Sequence, residues 1–111
     1  MHGNDLNDPS DQHLYVIYDR EERRIHKFGI SNKKVGADGH CRRMRNQVNA
    51  GNRWSKIGRY VARILVKLIK GRRRARALED DCIIKYRDKY GAYPRGNEDH
   101  QFLSEVERKK L

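Results

Sequence analysis

Two short runs of strand-forming residues lie close together near the start of the chain. Their spacing constrains the fold more than any other feature. The first, His13 to Asp19, carries Leu14, Tyr15, Val16, Ile17 and Tyr18; the second, Ile25 to Ile30, follows the charged turn Asp19 to Arg24. β-Branched and aromatic residues in such runs suit a pleated, half-buried surface. A connection this short joins antiparallel strands, because a parallel pair needs a crossover of a dozen residues or more. A turn centred on Glu21 sets Ile17 opposite Ile25 and Tyr15 opposite Lys27 on one side of the sheet. Leu14, Val16, Phe28 and Ile30 then point the other way, into a core. A slip of one residue would exchange the two sets.

The remaining periodicities complete the layout. Asp38 is a candidate N-cap for a helix from about His40 to Asn49, stopped by Gly51. Cys41, Met44 and Val48 share one face of it, and Arg43 and Gln47 share another. A polar stretch holding Trp54 leads to the strongest strand signal. From Tyr60, the alternate residues Ala62, Ile64, Val66 and Leu68 are apolar, with Arg63 and Lys67 on the opposite face. Gly71 and an arginine run open a long helix in which Leu78, Cys82, Tyr86 and Tyr90 form a stripe, with Glu79 at its edge. Gly91 ends it, Pro94 and Gly96 make a turn, and Asn97 begins a short final helix carrying Phe102, Leu103 and Val106 before a frayed basic tail. The order β-β-α-β-α-α predicts an α+β domain with a small three-stranded antiparallel sheet flanked by helices. Residues 1–12 are polar and acidic and read as a flexible lead, or a linker from a longer protein. Residues 13–111 read as one domain.

Composition narrows the function. The 111 residues carry a net charge of +11, with 37% charged and 36% hydrophobic residues. That is a thin but real core under a basic surface, and phosphate partners gain from counterion release at each Lys or Arg contact. No stretch reaches the roughly 18 apolar residues that span a bilayer, and the first residues lack a signal-peptide pattern, so no membrane role is expected. The two cysteines, Cys41 and Cys82, have no metal-type spacing and read as buried free thiols.

A strand that delivers Lys27 close to Gly29, followed by a helix that delivers Arg43 and Gln47, is a way to hold a phosphodiester. In that order the residues resemble the GIY-YIG nuclease domain over roughly Leu14 to Asn97. Its first motif looks like Leu14-Tyr15-Val16-Ile17 and its second like His26-Lys27-Phe28-Gly29-Ile30-Ser31. Arg43-Met44 is similar to the family's helix arginine, and Gln47 to the polar residue four positions on. Ala77-Leu78-Glu79 matches the metal-binding glutamate, and Pro94-Arg95-Gly96-Asn97 the final asparagine. The second motif's tyrosine is absent: Lys27 stands in its place, and some branches of the family are similar in carrying lysine there. Tyr18 is a rival for the place of Tyr15.

The resemblance implies a divalent-metal-dependent endonuclease. Glu79 would hold one Mg²⁺ (or Mn²⁺) as a hard oxygen ligand. Arg43 would steady charge on the scissile phosphate. Tyr15 would act as general base, its pKa lowered by Lys27 or by water at the metal, because a phenol near pKa 10 is a poor base at neutral pH. Lys27 would lower that pKa or hold the phosphate, Gln47 would orient the water or Tyr15, and Asn97 completes the set. Plainer roles stand beside these: an ion pair of Glu79 with Arg76 or Arg72, and an N-cap at Asn97. His26, His40, Arg45, Lys67, Arg72, Arg73, Arg74 and Arg76 are candidate nucleic-acid contacts, which position a strand without reading sequence. DNA is the favoured substrate, with RNA the other. A toxin domain delivered into a cytoplasm, and met there by an acidic immunity protein, is the biological role the resemblance suggests. A non-catalytic nucleic-acid-binding module on the same scaffold is the competing class.

Overall fold

β1 (Asp11–Asp19) and β2 (Arg24–Ser31) form the predicted antiparallel hairpin, and β3 (Tyr60–Lys70) pairs antiparallel with the other side of β1, so the sheet order is β2-β1-β3. α1 (Arg42–Asn52), α2 (Arg72–Tyr90), a 3₁₀ turn (Arg95–Asn97) and the short α3 (Glu105–Arg108) complete the chain. The α+β class and the order β-β-α-β-α-α are as the periodicities require. The computed structural model describes residues 5–36, 39, 41–52 and 58–111. The expectations for Asp38, His40 and Trp54 lie outside them.

The hairpin register differs from the sequence expectation by two residues. Tyr15 faces Gly29 and Ile17 faces Lys27, while Tyr18 faces Ile25, leaving His26 as the extra residue of a bulge. From Lys27 to Ile30 a shift of two keeps each side chain on its face, so Tyr15 and Lys27 still share one side; beyond the bulge Ile25 moves to the other face, beside Val16 and Phe28. Leu14 opposite Ile30 and Val16 opposite Phe28 make up the other.

Both faces of the sheet are covered. On one, Leu14 and Ile30 pack with Ile69 and Ala75, and Val16 and Phe28 pack with Ile83 and Tyr86 of α2. On the other, Tyr15 and Ile17 pack against Cys41 and Met44, with Val48, Tyr60, Ala62 and Ile64 around them. The two thiols are free, Cys41 buried and Cys82 half-buried.

Several boundaries move, each for a local reason. β3 does not hold its alternation. Register shifts opposite Gln12–Tyr15, with Leu68 at φ 57°, turn Val66 and Leu68 outward and bring Ile69 into the core instead. In α2 the buried stripe runs through Ala75, Glu79, Ile83 and Tyr86, with Leu78 and Tyr90 exposed. The helix is rotated from the expected stripe because the chain after residue 97 covers its flank at Ala77 and Asp80: Leu103 N–H donates to Asp80 and Arg108 reaches the Ala77 carbonyl. Asn97 starts no helix. It ends the 3₁₀ turn, and α3 begins only at Glu105, capped by Ser104. The basic tail is anchored through Arg108 to Asp81 and Lys110 to Glu107. Residues 5–12 are also not a loose lead. Asp11 and Gln12 belong to β1, and Asp8 is buried, its carbonyl accepting from Arg72 N–H at 2.9 Å.

A candidate phosphate and metal site at the sheet edge

β2 is an edge strand, so residues from both faces of the sheet can meet beside it. A polar cavity of about 320 Å³ lies there, lined by Lys27 and Gly29 of β2, Arg43 of α1, Arg72, Arg76 and Glu79 of α2, and Asn97 and His100 of the segment after α2. A second recess of about 430 Å³ shares Lys27 and Gly96 with it and adds His26, Gln47 and Tyr60. Of the residues singled out from sequence, Lys27, Arg43, Glu79 and Asn97 thus line the cavity itself. Gln47 and His26 line the adjoining recess.

The bulge accounts for His26. Unpaired between Ile17 and Tyr18, it turns to the same side as its neighbour Lys27, and its ring lies 4.9 Å from that of Tyr60. Bulges re-aim single side chains in this way. The close approach of the wall depends on Gly29. A Cβ there would stand 2.4 Å from both Cζ and OH of Tyr15, so the phenol ring crosses the strand where only glycine leaves room.

Tyr15 is wholly buried, and its hydroxyl donates to Gln47 Oε1 at 2.7 Å. Burial raises its pKa above the ordinary phenol value, and the Arg43 guanidinium offsets this only in part. This corrects the expectation of a phenol acidified by Lys27: the positive charge that acts on it most is that of Arg43, and desolvation outweighs it. Tyr18, the rival, lies on the opposite face with Tyr86 and Tyr90 in an apolar groove that shares no lining residue with the cavity. Lys27 is half-buried, and desolvation followed by the charge of Arg43 depresses its pKa, against an upward pull from Glu79.

Glu79 is 6% exposed, and burial raises its carboxyl pKa despite the nearby His100 and Arg76. Its Oε1 lies 3.8 Å from Arg76 Nε and 3.8 Å from His100 Nδ1. Both separations are looser than hydrogen bonds. A buried carboxylate held at a distance from these two neighbours, on the wall of a polar cavity, retains lone pairs for a hard divalent ion. The donor set therefore fits Mg²⁺ or Mn²⁺.

Asn97 does not cap a helix. Its Oδ1 accepts from Phe28 N–H at 2.8 Å and its Nδ2 donates to Phe28 O at 3.0 Å. The side chain imitates a neighbouring strand, satisfying the free edge of β2 between Lys27 and Gly29. Gly96 beside it lies so close that a Cβ would meet Lys27 Cβ at 2.8 Å.

The basic residues divide. Arg72 and Arg76 face the cavity, Arg72 buried with its pKa depressed by desolvation, and Arg76 donating to the Gln101 carbonyl. Arg73 is not free for nucleic acid, because it pairs with Glu107 at 3.0 Å and donates to Asn7. Arg74 and Arg45 are exposed. Lys67 is exposed on β3, the sheet edge opposite the cavity. Helical spacing could have separated Arg73 from Arg72 and Arg76, since the latter two lie four apart on one face.

His100 and Asp80 were missed by the sequence reading. His100 Nε2 lies 2.6 Å from Asp80 Oδ1, and with Glu79 these residues form a group of possible ligand atoms all within 4.8 Å. The one sequence signal was the adjacent acidic pair Glu79-Asp80 on a buried helix.

No helix among the described residues is long and apolar enough to cross a membrane. No curated protein and no solved structure matches the chain. A family model described as URI fold toxin 2 matches residues 4–91, a stretch that holds Tyr15, Lys27, Arg43, Gln47 and Glu79 and stops short of Asn97 and His100. That match covers well over half of the sequence, and the chain belongs to the URI fold toxin 2 family.

Proposed function

We propose that this toxin domain is a divalent-metal-dependent endonuclease of the GIY-YIG kind, acting on DNA. The observation that carries the reading is the convergence of Arg43, Lys27 and the buried Glu79 on one cavity of about 320 Å³. Such a combination answers the two needs of phosphodiester hydrolysis, charge neutralisation at the phosphate and an acidic ligand for a cation.

Arg43 presents a planar guanidinium suited to two phosphate oxygens. Lys27, partly desolvated, adds a point charge from the strand. Gln47 accepts from Tyr15 and fixes the phenol oxygen. Asn97 holds the β2 backbone, and with it the spacing between Lys27 and Gly29. Glu79 would hold the ion, which when bound supplies positive charge to the phosphate and to the surroundings of the Tyr15 phenol. That charge is what Tyr15 requires for service as a base, because burial alone opposes loss of its proton. The exposed Arg45 and Arg74, and the net charge of +11, suit the nucleic-acid backbone beyond the cavity. The same basic surface suits an acidic immunity protein as inhibitor, and the toxin role suits action inside a target cell.

The test is cleavage of plasmid DNA and of tRNA with Mg²⁺ or Mn²⁺, beside Glu79→Gln and Arg43→Ala. Cleavage of DNA that is lost in both variants supports the reading, and Arg43→Ala is expected to slow it about 10²–10³-fold. Preference for tRNA makes the domain an RNase. Salt-dependent binding without cleavage under either ion makes it a binding module.

A further inference from the structure

The geometry points to His100 as a second metal ligand beside Glu79, oriented for that task by Asp80. This rests on the reading of Glu79 as the ligand of a divalent ion. His100 is nine-tenths buried, and its two ring nitrogens have different surroundings. Nε2 lies 2.6 Å from Asp80 Oδ1, a carboxylate 1% exposed whose other oxygen accepts from Leu103 N–H at 2.9 Å. Phe102 meets the ring edge-on at 4.7 Å and fixes its plane. Nδ1 has no hydrogen-bond partner among the described residues and faces Glu79 Oε1 at 3.8 Å across the same cavity.

Octahedral ligands at about 2.1 Å stand about 3 Å apart when adjacent. Nδ1 and Glu79 Oε1, 3.8 Å apart, reach that separation by closing about 0.8 Å, a small rotation of either side chain. With the Nε2 proton committed to Asp80, the lone pair of Nδ1 is directed into the cavity. A histidine that gives one nitrogen to a carboxylate and the other to a metal is a recurrent arrangement, in which the outer carboxylate sets tautomer and ring orientation. Asp80 is thus a positioning residue, its remaining oxygen held by a backbone amide.

The donor set has a chemical consequence. Mg²⁺ favours oxygen ligands, whereas imidazole nitrogen raises affinity for later divalent ions along the Irving–Williams order. A site of one carboxylate and one imidazole is expected to prefer Mn²⁺ to Mg²⁺, and later first-row ions to Mn²⁺.

The test is Mn²⁺ binding to the folded domain, followed by calorimetry and by pulsed electron paramagnetic resonance. In the wild type, a histidine nitrogen hyperfine coupling to Mn²⁺ is expected, changing in pattern when histidine is labelled with ¹⁵N. His100→Gln is expected to lose the coupling and weaken Mn²⁺ at least tenfold. Asp80→Asn should keep the coupling and weaken Mn²⁺ about tenfold. Glu79-dependent Mn²⁺ binding without nitrogen coupling overturns the ligand role of His100 and leaves the nuclease reading intact. Nitrogen coupling in a protein that cleaves neither DNA nor RNA upholds the metal site and overturns the nuclease. Because the coupling is read in the wild type, a variant that fails to fold does not blunt the test.

Discussion

Asn97 is expected to act on the site through the backbone it holds. Asn97→Ala removes two hydrogen bonds, at 2.8 and 3.0 Å, and strands a buried N–H and a buried C=O of Phe28. Each bond contributes about 1 kcal/mol net, and an unsatisfied buried partner adds to the loss, so the expected cost is about 2–4 kcal/mol. At roughly 4 °C per kcal/mol for a chain of this size, the melting midpoint falls by about 8–16 °C. Hydrogen exchange at the Phe28 amide gives the local reading, because that proton loses its acceptor. Cleavage by the variant, assayed well below its own midpoint, should fall as Lys27 and Gly29 lose their fixed spacing. An unchanged midpoint and unchanged Phe28 exchange, with cleavage abolished, would refute the backbone role and make Asn97 a direct contact of the reacting phosphate.

Gly29→Ala drives a methyl into the Tyr15 ring and is expected to cost about 1–3 kcal/mol in urea unfolding; Tyr15→Phe should not restore it fully, because Cζ is as close as the hydroxyl. In metal-free buffer, stability should fall as pH rises through the raised folded pKa of Glu79. The folded state holds the Glu79 proton above the unfolded value near 4.5, so that contribution is complete below 4.5 and lost on ionisation. Glu79→Gln, which has no such charge to bury, should therefore melt higher than the wild type at neutral pH in chelator, with the difference closing in acid. Arg74→Ala should lower the salt slope of DNA binding by about one unit without changing the melt. Arg73→Ala should instead lower the melt, because its guanidinium joins Glu107 to Asn7.

The hairpin and the three-stranded antiparallel sheet were legible because the apolar patterning of β1 and β2 and the short turn between them allow only an antiparallel pair; that β3 pairs with β1 was not. The two-residue register shift was not, since from Lys27 to Ile30 it preserves faces, and nothing local marks the bulge at His26 beyond which Ile25 changes side. Lys27, Arg43 and Glu79 were found by order and spacing, which the cavity brings together across three elements. The burial that raises the Tyr15 pKa was not legible, because it depends on how completely α1 covers the ring, and helix-face patterns do not report depth. The plainer role offered for Asn97, a cap, arose because an asparagine before acidic residues fits a helix start. Its real partner, Phe28, is 69 positions away. His100 and Asp80 lie 20 positions apart with no local pattern between them.

The clasp formed by residues 95–103 follows every other part of the cavity in chain order. A chain emerging amino end first presents Lys27, Arg43 and Glu79 before Asn97 can seal the edge of β2 or His100 can meet Asp80. At ribosomal speed the interval between Glu79 and Asn97 is on the order of 1–4 s. During that interval the strand edge beside Lys27 lacks its side-chain partner, and the cavity lacks one wall. The cavity is therefore complete only once residues 95–103 have joined the strand edge and the helix.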